Sequence, residues 1–443
     1  MRFKNMTLIA ILLLGAAGAA NAGALNLQDA IDTAIKNNPG MQAASAQVEI
    51  KGHEKNTAMA RMLPSVTGKY TYGRLEEAKE YYLPLTYPNV PAMRTLSPQG
   101  LYGYLPMAGK SNYSMSVEVS QPLFTGGQLI NAYKIAGNEK QVAELSRAQS
   151  TRELKLAVVK SYYDVLVARK YREVALSARD TVNSHVKVAQ AFYSQGMIPK
   201  NDLLVAQVRS AESEQNLIKA DNATKMADSV FNMVLSRDLA TPVEIVDLID
   251  HPALPGTLGD ATATALEKRQ ELETIRVQMD SVNKAVHIAE AAFGPTVGAS
   301  VTWEKTGEHS NVDDDNGWKA GVGLEWKLFD GSANYWNLKK ARTQKTQLDY
   351  VYQMQRDQVE LEVKNAYLKA QEAGARIGVA AKAIDQAKEN LRIEKDRFNL
   401  QMATSTDVLD AQTTLSDAER NLISARADYA KAVAELNSAI GTL

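Results

Sequence analysis

Leu123-Phe124-Thr125-Gly126-Gly127 returns downstream as Leu328-Phe329-Asp330-Gly331-Ser332, an offset of 205 residues. The same offset carries Tyr162 to Tyr367, Asp202 to Asp407 and Ala206-Gln207 to Ala411-Gln412. It also carries Glu214-x-Asn216-Leu217-Ile218 to Glu419-x-Asn421-Leu422-Ile423. Upstream, Leu63-Pro64-Ser65-Val66 aligns with Phe293-Gly294-Pro295-Thr296-Val297 only at an offset near 231. The chain therefore reads as two copies of one unit, residues 23–235 and 259–443, joined by a linker over 236–258. The first copy holds about 26 additional residues between Pro64 and Leu123.

Helical and strand periods alternate within each copy. Residues 128–194 contain no proline, and the matching stretch 333–400 repeats Val359, Val363, Ala366, Ala370, Ala373 and Ile377 at a 3-4 spacing. After a short break the spacing resumes at Val408, Ala411, Leu415, Ala418 and Leu422. A 3.5-residue period sustained this long predicts coiled-coil-like packing, with two long hairpins over 128–235 and 333–440. Read as one helix, about 67 residues at 1.5 Å each reach roughly 100 Å. Four alternating runs predict strands at about 66–74, 113–121, 296–304 and 318–328, the length a tilted strand needs to cross a bilayer. Trp303, Trp318, Trp326 and Trp336 fall at or just beyond the predicted strand ends, where aromatic belts sit in membrane barrels.

A soluble sheet packed on a core is the ordinary reading of such strands. Here no second sheet or amphipathic helix of matching size remains to cover the apolar faces. The polar faces carry Glu118, Lys319, Glu325 and Lys327, as a wet lumen would. Four strands cannot close a barrel, for which about eight is the minimum. Strands must be pooled between copies, eight from a dimer or twelve from a trimer.

Composition narrows the compartment and the chemistry. The 443 residues include no cysteine, and 50 Lys+Arg against 51 Asp+Glu give a charge of −1. That balance argues against a nucleic-acid surface, and the lack of Cys removes disulfides, thiolate sites and Cys nucleophiles. Arg2 and Lys4, an apolar run from Leu8 and Ala20-Asn21-Ala22 read as a signal peptide over residues 1–22. His53, His185, His251, His287 and His309 are scattered without metal-ligand spacing, and no phosphate-binding loop or nucleophile elbow occurs. Three adjacent aspartates, Asp313 to Asp315, lack the glycine and distal glutamate of a calcium loop. No enzyme activity, cofactor or metal site is expected, and any transport role is passive.

The Asn38-Pro39 end of the first helical segment, the Leu63-Pro64-Ser65 lead into a strand and Pro122-Leu123-Phe124-x-Gly126-Gly127 resemble TolC-like outer-membrane efflux proteins. So do the run Thr406 to Leu415 and the closing Ala439-Ile440-Gly441-Thr442-Leu443. The resemblance covers essentially the whole chain after the leader. It implies a homotrimer with a twelve-stranded barrel in outer-membrane lipid and a twelve-helix periplasmic α-barrel below it. It also implies a periplasmic adaptor and an inner-membrane pump, proton-driven or ATP-driven, as partners in efflux or type I secretion. The Tyr- and Pro-rich segment 81–106 and the acidic loop 307–317 would then be extracellular.

The turns at 195–202 and 401–410 would form the periplasmic tip. Asp407 and Asp410, one helical turn apart, are candidates for an aperture of carboxylate rings favouring cations. Asp407 has a twin in Asp202, so helix capping accounts for it in both copies. Asp410 corresponds to Val205, and capping does not require it. Gly196, Met197, Ile198, Gln401, Met402 and Thr404 are the candidate adaptor contacts, against ordinary turn packing. Gln401 stands where the first copy has Gly196, and neither Ala403 nor Phe398 offers a side-chain hydrogen bond to lock the tip. The rival reading is a periplasmic coiled-coil adaptor or scaffold without a channel, which requires one hairpin rather than two.

Overall fold

The computed structural model describes residues 24–77, 79–85, 101–108, 110–246, 252–307 and 315–443. The expected leader and residues 308–314 of the acidic loop lie outside the described residues. The chain is mainly helical with a small β part, and it divides into two compact units. One takes the chain up to Ala44, Arg147–Gln270 and Arg356–Leu443; the other takes Ser45–Ser146 and Glu271–Gln355.

The helices fall into two series of matching length. α1 (Leu27–Asn37) and α5 (Leu258–Lys268) have 11 residues each, α2 (Pro39–Ala60) and α6 (Gln270–Ala291) have 22, and α3 (Gln128–Ser194) and α7 (Ala333–Asn399) have 67. α4 (Lys200–Val234) and α8 (Ser405–Ile440) have 35 and 36. The first two pairs are offset by 231 residues and the long helices by 205, the two offsets visible in the sequence repeat. In the second copy two helices, α5 and α6, precede the strands. Arg269 breaks them with extended backbone, and its buried guanidinium donates to the Ala439 carbonyl and pairs with Glu362 at 2.8 Å. In the first copy Asn38 makes the same break, because a residue before proline is driven out of the helical region.

In the unit containing Ser45–Ser146, four antiparallel strands form one sheet. They are β1 (Ser65–Arg74), β4 (Ser111–Phe124), β5 (Thr296–Gly307) and β6 (Asp315–Glu325), in the order β1-β4-β5-β6. β2 (Lys79–Leu85) and β3 (Leu101–Ala108) pair separately, so the segment read as an extracellular loop contains a β-ladder. Pro84 opposite Tyr102 and Pro106 opposite Glu80 are accommodated because a two-stranded ladder leaves alternate N–H groups of each strand unpaired.

The other unit holds the larger apolar core. Tyr162, Val165 and Leu166 of α3 pack with Ala30 and Ala34 of α1, Phe231 of α4 and Ala427 and Ala430 of α8. The Tyr162 hydroxyl donates to the Val246 carbonyl at 2.9 Å, so its buried polar end is satisfied. Alanines at the α8 seam explain the close helix approach, since small side chains let backbones come together. Among the described residues no helix is long and apolar enough to cross a membrane.

Candidate functional site at the hairpin turns

Both helical hairpins turn with the same backbone device. Gly196 and Gln401 adopt φ of 70° and 63°, the left-handed region. The Met197 N–H donates to the Phe192 carbonyl at 2.9 Å, and the Met402 N–H to the Arg397 carbonyl at 2.8 Å. The Gly196 and Gln401 N–H groups reach back to Tyr193 and Phe398 at 2.9 Å each. This six-to-one and five-to-two pair is the Schellman motif, which satisfies the last carbonyls of α3 and α7. Gln401 thus does the work of a glycine in a conformation costing an L-residue about 1–2 kcal/mol.

The helices leaving the turns begin differently. Thr404 caps α8: its hydroxyl accepts from the Asp407 N–H, and Asp407 Oδ2 accepts from the Thr404 N–H at 2.8 Å and its hydroxyl at 2.8 Å. These bonds hold the Asp407 carboxyl below the usual carboxylate range. Pro199 occupies the equivalent position before α4 and makes no side-chain cap bond. The expectation that capping explains Asp202 and Asp407 alike is therefore corrected. A carboxylate closes a capping box only where the cap residue supplies a hydroxyl and an N–H, and proline has neither.

Above the turns, all four long helices share a small core of Val182, Ala189, Leu203, Leu391, Phe398, Val408 and Leu409, among others. Phe398, 3% exposed, stacks on Phe192 with ring centres 5.7 Å apart. His185 lies 4.6 Å from the Phe398 ring, and its Nε2 is 3.2 Å from the Ser405 hydroxyl. Burial pushes His185 down to about 4, with Lys395 adding repulsion. The imidazole is neutral at neutral pH, and it bridges α3 to the start of α8. Sequence reasoning passed over His185 as one of five scattered histidines. Its place between Val182 and Ala189 at seam spacing was the available signal.

The candidate residues separate into three groups. Met197 and Met402 are exposed, and Gly196, Gln401 and Thr404 are exposed beside them. Ile198 is not an open tip residue: it is half-buried and packs against the shared core. Asp410 is exposed on α8, with Arg209 of α4 at 3.5 Å, and Arg209 also binds Glu212 at 3.0 Å. That partner lies 201 residues away in sequence, so no local pattern could show it. Beside these residues, a cavity of about 170 Å³ is lined by Arg209, Ser213, Gln412 and Ser416, and the buried Gln412 Oε1 has no protein partner there. Among the described residues no three metal-ligating side chains converge.

Two of the belt tryptophans sit within strands rather than at their ends. Trp303 and Trp318 are direct partners across β5 and β6, because β5 continues to Gly307 and β6 begins at Asp315. Trp326 lies just past β6 and donates from Nε1 to the Phe293 carbonyl at 2.9 Å. Trp336 belongs to α7, with Lys339 5.3 Å from its ring centre.

A single four-stranded sheet, joined in sequence to paired helical hairpins of this length, is the architecture of the outer-membrane channels it superposes on. The family model described as outer membrane efflux protein matches residues 30–229 and 262–442, and the chain belongs to that family. It is an outer-membrane protein. The outer membrane efflux protein BepC of Brucella suis is 22% identical, over 99% of this chain and 91% of its own length. The alkaline protease secretion protein AprF of Pseudomonas aeruginosa is 23% identical, over 96% and 86%. The crystal structure of the Campylobacter jejuni CmeC outer membrane channel superposes with a TM-score of 0.77 at 16% identity, covering 94% of this chain and 85% of that one.

Proposed function

We propose that this chain is the passive exit duct of a tripartite efflux or type I secretion system and assembles as a homotrimer. One observation carries the reading: a four-stranded sheet with β1 and β6 as its edges, predominantly apolar on one face, where Arg74 and Lys305 are the charged residues, and richer in charge of both signs on the other. Val66, Val119 and Val301 stand in register on one face, while Thr67, Glu118, Thr302 and Lys319 stand in register on the other. Unpaired strand edges are intolerable in lipid, and four strands cannot close on themselves. Pairing β1 of one copy with β6 of the next closes the barrel, and three copies supply twelve strands. The charged face then lines water and the valine face meets lipid.

The tryptophans fit the same placement. Trp318 and Trp326 are eight residues apart, about 26 Å along an extended strand. At a tilt of about 40° that spans about 20 Å of height, most of a barrel's apolar band of about 25 Å, with an aromatic residue near each edge. Two hairpins, each with its own pair of strands, weigh against the scaffold alternative. A relative named for efflux and one named for protease secretion leave both cargo classes in play.

At the tip, Asp410 is the aperture carboxylate, and Met197 and Met402 are the adaptor-contacting side chains. Cysteine is absent, so Met402→Cys supplies a single reactive site without disturbing the Thr404 cap. Cross-linking from that site in living cells is expected to capture a periplasmic adaptor of a pump, from a heat-modifiable trimer in the outer-membrane fraction. A soluble periplasmic monomer would overturn the reading.

A further inference from the structure

The cavity beside the tip core holds an acceptor that the protein leaves unused. Within one compact unit, α3 at Ala175 and Ala178, α4 at Ser213 and α8 at Leu409 and Gln412 surround about 170 Å³. Gln412 is 6% exposed, and its Oε1 has no hydrogen-bond partner in the protein. Ser416 spends its proton on the Gln412 carbonyl at 3.1 Å, so it can only accept from the Gln412 amide. Nε2 therefore faces it, at 3.2 Å, and Oε1 is the atom left over. The other hydroxyl protons of the lining are committed too, Ser213 to the Ser210 carbonyl at 2.7 Å and Thr413 to the Leu409 carbonyl at 3.0 Å. These hydroxyls keep lone pairs and no donor for an occupant. A buried acceptor without a donor is costly, so a ligand that brings one gains affinity.

The rest of the lining narrows the class of ligand. Val174, Ala175, Ala178 and Leu409 form an apolar wall. The arginines of the rim are engaged by carboxylates, Arg209 by Glu212 and Asp410 and Arg420 by Asp417, so they make no anion trap. The Glu212 carboxylate borders the cavity as well. We propose that this cavity binds a small protonated amine, whose N–H donates to Gln412 Oε1 while a short alkyl body lies on the Val174–Ala178 wall. A cavity of about 150 Å³ admits one benzene-sized molecule, so the occupant has about five to eight non-hydrogen atoms. The site stands on the cavity alone and not on the duct reading.

The full chain in lipid nanodiscs is titrated with n-butylammonium and with n-butyrate, a probe of matched size. Binding is read by saturation-transfer NMR against empty nanodiscs. Butylammonium is expected to bind, and butyrate, which has no proton to give, is not. Gln412→Met keeps the volume and removes the acceptor. It is expected to weaken butylammonium at least about tenfold, the worth of one hydrogen bond involving a charged group. The fold does not depend on that oxygen, which bonds to nothing in the protein. Ala178→Leu fills the cavity from the opposite wall with Gln412 intact, and is expected to abolish binding. Equal binding of butyrate, or butylammonium affinity unchanged in either variant, overturns the site. So does a wild-type chain that binds no butylammonium, whose cavity then holds water only.

Discussion

His185 Nε2 lies 3.2 Å from the Ser405 hydroxyl, and both side chains are buried where α3 meets the start of α8. This contact joins the two sequence repeats beside the turns that we assign to the periplasmic tip. It needs a neutral imidazole, since a charged ring would be desolvated against Phe398 with Lys395 nearby.

A pH dependence follows. The folded-state value of about 4 lies below the ordinary 6.5, so the unfolded tip takes up the proton first. Stability is full above about 6.5 and is lost as pH falls from there toward 4, amounting to about 2 kcal/mol by pH 5. Hydrogen exchange of the amides around Thr404 to Asp410 is expected to accelerate accordingly. His185→Gln is expected to flatten that response; an unchanged pH response in the variant would remove His185 from the account.

The two turns should answer oppositely to exchange of their C′ residues. Gln401→Gly relieves a left-handed L-residue and is expected to stabilise the tip by about 0.5–1 kcal/mol, after allowance for glycine's larger unfolded-state entropy. Gly196→Ala has open space around its Cβ but the same φ, and is expected to cost about 1 kcal/mol. Denaturant midpoints of the two variants check both signs.

Capping is expected to be asymmetric between the hairpins. Thr404→Ala removes both halves of the box with Asp407 and should destabilise α8 locally by about 1 kcal/mol. Asp202→Asn has no equivalent box to break and should be nearly neutral. Exchange protection in the first turn of each helix distinguishes them.

The long helices were legible because their period persists for dozens of residues, and the repeat disclosed the insertion in the first copy. Four strands were legible from alternation, though their ends were not: β4 runs through Pro122 to Phe124, and β5 passes Trp303 to Gly307. The β2–β3 ladder was hidden because proline marks a loop unless the pairing is known, and pairing is a tertiary fact. At the tip, the sequence reading took Gly196 and Thr404 as adaptor contacts; the Thr404 cap was readable from its spacing to Asp407 and was passed over. Arg209 beside Asp410, and His185 against Phe398, depend on helices brought together from distant sequence.

The ion pair between α4 and α8 makes a two-way prediction. Arg209 lies 3.5 Å from Asp410 and offsets part of its charge, though weakly because both are exposed. Arg209→Ala is expected to raise cation preference at the aperture, and Asp410→Asn to lower it together with block by multivalent cations.

Single-channel recording of the purified chain in planar bilayers tests the duct most directly. The account predicts stepwise, cation-selective currents from a trimer, with reversal potential moving toward zero in Asp410→Asn and away from it in Arg209→Ala. A membrane-inserted protein that passes no current would contradict the duct itself; currents indifferent to both substitutions would contradict the aperture.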